Sequence, residues 1–191
     1  MTTAVRDIEM PPGTVLDEVE DLVGGYASAV LSTCGMYRYL LSRIWDRTLP
    51  LACWVMLNPS TADASRRDPT LDRVVDFTHR GGRGGLLIVN LFALRSADPR
   101  RLRDHHDPVG PGNDAFLAQA ARAVGPAGAV IGAWGAQGTL HNRAAAVTAL
   151  LAKAGVPLSC YGTTSAVSGH QPCHPLYLKG STAERPYLET T

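Results

Sequence analysis

Three stretches of this chain are apolar at nearly every position: LACWVML at 51–57, GLLIVNLFAL at 85–94 and AVIGAW at 129–134. A half-buried strand alternates apolar and polar side chains, so an unbroken apolar run of strand length implies burial on both faces. Segments of helical period lie between these runs. PTLDRVVDFTHR at 69–80 follows Asp68, an N-capping residue type, and begins on proline. NDAFLAQAARAV at 113–124 stops at Gly125, and LHNRAAAVTALLAKA at 140–154 stops at Gly155. Strands separated by helices predict right-handed crossovers and a parallel sheet covered on both sides. The expected fold is α/β, a three-layer α/β/α sandwich with a central, mostly parallel sheet.

Upstream of that core, Thr14 and Asp17 have the spacing of a capping box, which predicts a short helix through about residue 23. YASAVLSTCGMYRYLLSRIW at 26–45 is rich in β-branched and aromatic residues and reads as two strands turning at Cys34 and Gly35. These would form an N-terminal antiparallel extension. VPLSCYG at 156–162 supplies a further short strand, and the remainder is loop-like. A chain of 191 residues with 45% hydrophobic content is sufficient for one core, so residues 1–191 are expected to form a single domain with residues 1–13 flexible.

Charge and cysteine usage narrow the function classes. Eighteen Lys and Arg against seventeen Asp and Glu leave a formal charge of +1, too small to draw the whole molecule onto nucleic acid or a membrane. Binding of a polyanion would have to be local, and Arg66, Arg67, Arg95, Arg100, Arg101 and Arg103 lie in two short stretches suited to it. A solvated surface accounts for the same arginines. No segment has the roughly 20 apolar residues of a membrane span, and MTTAVRDIEMPPG lacks the apolar region of a signal peptide, so a cytoplasmic location is expected. Cys34, Cys53, Cys160 and Cys173 include no CxxC pair; the expectation is reduced thiols, no metal and no cofactor.

Ligands of open α/β sheets bind outside the carboxyl ends of the strands, which directs attention to polar residues that end apolar runs. Asn58 emerges from the first run into Pro59, Ser60 and, further on, Asp63; the same letters also make an ordinary structural turn. Asn90 interrupts GLLIVNLFAL, and a buried amide without a partner costs about 1–3 kcal/mol. Its partner is therefore either backbone or a ligand edge with both donor and acceptor. Trp134 and Gly135 end the third run, and His174 lies in the late loop PCHPLYLKG. A nucleophilic Cys173 activated by His174 is a further reading of that loop.

Taken in order, these four segments resemble the motifs of the uracil-DNA glycosylase superfamily over about residues 51–185. VMLNPS looks like the first motif in its Asn-Pro version, GLLIVNLFALR like the strand whose Asn reads uracil, and AWGAQG like a Trp-Gly-x-x-Ala-Gln strand end. PCHPLYLKG looks like the His-Pro loop with a catalytic histidine and an inserting leucine. At closer range NPSTAD, NLFALRSADP and CHPLYL are similar to the family known as domain of unknown function 1643. The glycosylase resemblance implies a glycosylase-like core in which Asn58 positions water, Asn90 pairs with a base, His174 faces the base carbonyl and Leu176 enters a duplex. Asp63 or Asp68 could replace the carboxylate that the most active glycosylases carry at the position of Asn58, and Arg95, Arg100, Arg101 and Arg103 would form a basic rim beside the pocket, where phosphate should bind. Ser60 stands where those enzymes have tyrosine, and His-Pro-Leu-Tyr where they have His-Pro-Ser-Pro. The implied function is recognition of a nucleobase-containing ligand, whether nucleotide, RNA or DNA, by an N-glycosidic hydrolase or transferase. The alternative is a nucleotide- or nucleic-acid-binding module without catalysis.

Overall fold

The computed structural model describes residues 8–20, 25–60, 69–98 and 100–187. Its strands are β1 (Thr14–Glu20), β2 (Tyr26–Ser32), β3 (Arg38–Ile44), β4 (Leu51–Met56), β5 (Gly85–Asn90), β6 (Ala129–Gly132), β7 (Leu158–Cys160) and β8 (Arg185–Pro186). The helices are α1 (Pro69–Arg80), α2 (Arg101–Asp104), α3 (Asn113–Ala123) and α4 (Arg143–Lys153). All eight strands belong to one sheet in the order β1-β2-β3-β5-β4-β6-β7-β8.

That sheet corrects the expected architecture. Pairing is parallel for β5 with β4, β4 with β6 and β6 with β7. It is antiparallel for β1 with β2, β2 with β3, β3 with β5 and β7 with β8. Antiparallel pairs thus outnumber parallel ones, and the sheet is mixed in place of the mostly parallel, glycosylase-like sandwich expected from the strand-helix alternation. The reason is the β2–β3 hairpin. It does not stand apart as an extension: Leu41 pairs with Ile88 and Ser42 with Leu87, so the hairpin continues the central sheet from the edge of β5.

Three local expectations also change. Thr14–Glu20 is a strand, paired along its whole length with β2, and residues 21–23 of the expected helix lie outside the described residues. Pairing along all seven residues satisfies the backbone groups of β1 that face β2, more than the few at a helix start that a capping box serves. Ile8, within the segment expected to be flexible, is buried, and the Glu9 N–H donates to Gln119 Oε1 at 2.7 Å. The last long helix starts at Arg143, three residues later than its pattern suggests, because His141 and Asn142 have φ of 51° and 55°.

Each face of the sheet carries its own core. Leu86 and Ile88 of β5, Ala52, Trp54 and Met56 of β4 and Ile131 of β6 pack with Leu71, Val74 and Phe77 of α1. Residues of opposite parity, among them Cys53, Val55, Leu87 and Val89, pack with Phe116 and Leu117 of α3 and Val147 and Leu151 of α4. This is why the runs read as continuously apolar: both parities of each strand are buried. No helix among the described residues is long and apolar enough to cross a membrane.

Trp54 anchors the α1 side. It is fully buried, stacks on Tyr161 with ring centroids 5.6 Å apart and planes 7° apart, and donates Nε1–H to Thr78 Oγ1 at 3.0 Å. Trp54→Ala should destabilise the fold by about 3–5 kcal/mol. Urea denaturation checks this: a lower midpoint with an unchanged slope is expected, and a loss below about 1 kcal/mol would refute this packing role.

Candidate functional site

Strand alternation carries the α1-facing rows beyond the core. Leu86 and Ile88 are followed on the same face by Asn90; Ala52, Trp54 and Met56 are followed by Asn58. Met56 pairs with Asn90 in register, so the two amides end adjacent parallel strands. The segments leaving those strands stay hydrogen-bonded to each other as far as Pro59 and Ser96, and the chain then goes to α1 on one face and to α3 on the other. A crevice opens at such a divergence. Here it is a cavity of about 450 Å³. Leu41, Met56, Ile88 and Leu71 form its apolar floor, and Arg38, Asn58, Asn90 and His174 contribute polar groups. Its volume lies within the roughly 300–1,000 Å³ of small-molecule sites.

Asn90 is 1% exposed, and its Nδ2 has no hydrogen-bond partner among the described residues. Its backbone is held firmly: Asn113, buried at the start of α3, donates Nδ2–H to the carbonyls of Asn90 (3.0 Å) and Leu91 (3.2 Å). Arg143 Nε–H donates to the same Leu91 carbonyl at 2.7 Å, and its guanidinium pairs with Asp114. The strand end is thus rigid while the amide donor stays desolvated and unused. Asn58 differs. Its Nδ2 donates to the carbonyls of Pro59 (3.1 Å) and Ser96 (2.9 Å), and the Ser96 N–H returns to the Pro59 carbonyl at 3.0 Å. Asn58 therefore fastens the two strand-end loops together.

His174 reaches the cavity on a loop held from three sides. The Gly135 N–H donates to the Pro172 carbonyl, the Cys173 N–H to the Gly162 carbonyl, both at 2.8 Å, and Arg73 of α1 to the Leu178 carbonyl at 2.6 Å. Gly135 has φ of 72°, and a side chain there would meet His174 Cβ at 3.6 Å. That is an ordinary contact distance, so it is the left-handed backbone of the turn that favours glycine here. His174 Nδ1 accepts the Leu176 N–H at 3.4 Å, which places the proton of a neutral ring on Nε2.

The cavity gathers Asn58, Ser60, Asn90, Trp134, Gly135 and His174 from four separate segments of the sequence. Trp134 is itself buried, with Nε1–H donating to Gln171 Oε1 at 2.7 Å, so its role is to brace the wall. Pro59 is buried but does not line the cavity, and Asp63 lies outside the described residues. Leu176 is exposed and turned away from the lining, where Tyr177 appears in its place, 85% exposed. The expected phosphate rim is not there. Arg95 donates to the Gly35 carbonyl at 3.1 Å, and exposed Arg100 pairs with Asp98 at 2.9 Å, holding that carboxyl below its usual range. Neither they nor Arg101 line the cavity; Ser96 and Ala97 are the part of that segment which does.

Sequence reasoning missed Arg38, which is 4% exposed and lines the cavity. Its N–H donates to the Ala93 carbonyl at 2.9 Å, just beyond the end of β5. Because β3 runs antiparallel to β5, the amino end of β3 lies at the carboxyl end of β5. The available signal was a charge inside the aromatic and aliphatic segment MYRYLLSRIW, since a charged residue is seldom buried without a purpose. Thr70, Gln137 and Tyr177 were missed as well. Among the described residues no cluster of His, Cys, Asp or Glu could hold a metal ion.

The thiols argue against Cys173 as a nucleophile, because burial pushes its pKa up. Burial also pushes Cys53 up, to about 12. Exposed Cys34 goes the other way, lowered by hydrogen bonding to Ser32 and to the Met36 backbone. Limited alkylation near neutral pH followed by mass spectrometry should label Cys34 first, as the thiolate is the reacting form; prior labelling of Cys173 would overturn this order. Asn113→Ala should cost about 1–3 kcal/mol in urea denaturation, through the buried Asn90 carbonyl left without its donor. A neutral outcome would remove Asn113 as the brace of β5.

No curated protein and no solved structure matches the chain. The comparisons give no support to a relationship with the uracil-DNA glycosylase superfamily. A family match covers residues 38–176, from the buried Arg38 to the His174 loop, and includes every cavity-lining residue but Tyr177. The chain therefore belongs to the family described as Protein of unknown function (DUF1643).

Proposed function

We propose that this protein recognises a nucleobase-containing ligand in the cavity at the ends of β4 and β5. The observation that carries the reading is the desolvated, unpartnered Nδ2 of Asn90, on a strand end clamped by Asn113. Such a donor is costly in an empty fold and matches a ring carbonyl, while the neighbouring amide oxygen matches a ring N–H. The apolar floor suits the faces of a planar ring. The order of the four segments, similar to that of glycosylase motifs, supports the same reading.

For an enzyme built this way the reaction is hydrolysis or transfer at the N-glycosidic bond. As that bond breaks, negative charge develops on the departing base, and His174 Nε2–H is a donor suited to it. Asn58 cannot accept a proton, so water would be activated by a carboxylate such as Asp63 or Asp68, both outside the described residues. A specific observation favours the second reading, a module that binds without cleaving. Asn58 Nδ2 is committed to two backbone carbonyls, and no carboxylate lines the described part of the cavity. Asn58→Asp would set a carboxylate against the carbonyls of Pro59 and Ser96, so it should lower stability instead of supplying a base.

His174→Ala separates the two readings. An enzyme should lose turnover by about 10²-fold or more with little change in ligand affinity, because the hydrogen bond strengthens in the transition state. A binding module should lose only about 1–3 kcal/mol of affinity, measured by calorimetry. Base release from nucleosides, nucleotides and oligonucleotides by wild type and Asp63→Asn completes the test. No release from any of them excludes the hydrolase, and no binding of any of them excludes the nucleobase reading.

A further inference from the structure

We infer that Tyr177 is the face on which this cavity receives a planar ring: its phenol stacks on the ligand and admits flat aromatic rings, while Asn90 chooses among them by their edges. The inference rests on the nucleobase reading above and names the residue that holds the base by its face.

The described lining contains one indole and one phenol, and the fold treats them in opposite ways. Trp134 is 1% exposed, stands edge-on to Tyr187 with ring centroids 5.9 Å apart, and commits its Nε1–H to Gln171. Its ring is taken up by the protein. Tyr177 is 85% exposed although it lines the same cavity, which puts it where the cavity meets solvent. Its backbone is nonetheless fixed. The Tyr177 N–H donates to the His174 carbonyl at 3.0 Å, and Arg73 of α1 holds the carbonyl of the next residue, Leu178, at 2.6 Å. The His174 ring lies beside the phenol, with centroids 5.9 Å apart and planes inclined at 56°. Tyrosine has only two side-chain torsions, so a ring on a fixed backbone loses little freedom when a ligand covers it. Leaving so much apolar ring in water is unfavourable, and a flat ligand entering the cavity removes part of it. The rest of the lining serves such a ligand too: Leu41, Met56 and Ile88 are apolar, and the unpartnered Nδ2 of Asn90, on a side chain 1% exposed, offers a donor to its edge. Every base has a π-face, so stacking alone is nearly blind to which base is bound.

The test compares wild type with Tyr177→Phe, Tyr177→Leu and Tyr177→Ala, all in the whole chain; at so exposed a position these changes leave the fold intact. Calorimetry measures binding of the common nucleosides and their monophosphates, and NMR titration measures binding of benzamide and its non-planar counterpart cyclohexanecarboxamide. Wild type should bind at least one nucleoside or nucleotide and prefer benzamide to cyclohexanecarboxamide. Tyr177→Phe should retain both properties. Tyr177→Leu and Tyr177→Ala should weaken each nucleobase ligand by about tenfold or more, by a similar factor throughout, and abolish the preference for benzamide. A nucleobase ligand bound equally by wild type, Tyr177→Leu and Tyr177→Ala overturns the stacking and leaves the nucleobase reading standing. Tyr177→Phe as weak as Tyr177→Ala also overturns it, because the hydroxyl and not the ring face is then the contact. A Tyr177-dependent preference for benzamide, with no nucleobase ligand bound, keeps the stacking face and overturns the nucleobase reading. Absence of binding by every nucleobase ligand and by benzamide overturns both.

Discussion

The parallel pairing of β4 with β5 is the interaction from which the site follows. With Met56 beside Asn90, the two strands end level, and their continuations part toward opposite faces of the sheet. The two continuations are joined as far as Pro59 and Ser96, and beside them the α1-side core opens into a cavity. The residues at its edge are the next members of rows that are apolar further down. This geometry makes one hydrophobic core both the support and the floor of the pocket.

Polar groups at the end of a buried strand are expensive unless satisfied, and the structure treats its two strand-end amides differently. Asn58 is absorbed by the loops, its Nδ2 bonding to Pro59 and Ser96. Asn90 is left with an unused donor while Asn113 and Arg143 secure the backbone around it. The proposed binding role of Asn90 rests on this pairing of a rigid backbone with an unsatisfied side chain, since a matching acceptor would relieve the desolvation penalty. His174 is prepared in a comparable way, with Nδ1 occupied by the Leu176 N–H and the loop fastened by Gly135 and Arg73.

Much of this site is legible in the sequence. Asn58, Asn90, Trp134, Gly135 and His174 could be singled out because each departs from a local pattern: an amide at the end of an apolar run, a glycine after a strand, an imidazole between prolines and cysteine. Arg38 could not be assigned to the site in the same way. Its segment was read as a separate extension, and only the antiparallel docking of β3 on β5 brings its amino end to the cavity. The arginines at 95, 100 and 101 failed for the opposite reason. Their sequence proximity to β5 suggested a rim, whereas local acceptors such as Asp98 and the Gly35 carbonyl hold two of them elsewhere.

By itself the sequence determined which segments are buried on both faces and where strands end in polar residues, because these are properties of short windows and of side-chain periodicity. The order and direction of strands belong to the tertiary structure. Whether the β2–β3 hairpin stands apart or completes the central sheet depends on edge pairing between segments more than forty residues apart, for which no short window carries a signal. The same holds for whether an amide is satisfied. Asn58 and Asn90 look alike in sequence, and only the nearby carbonyl of Ser96, thirty-eight residues away in the chain, makes one a fastening and leaves the other a donor in want of a partner.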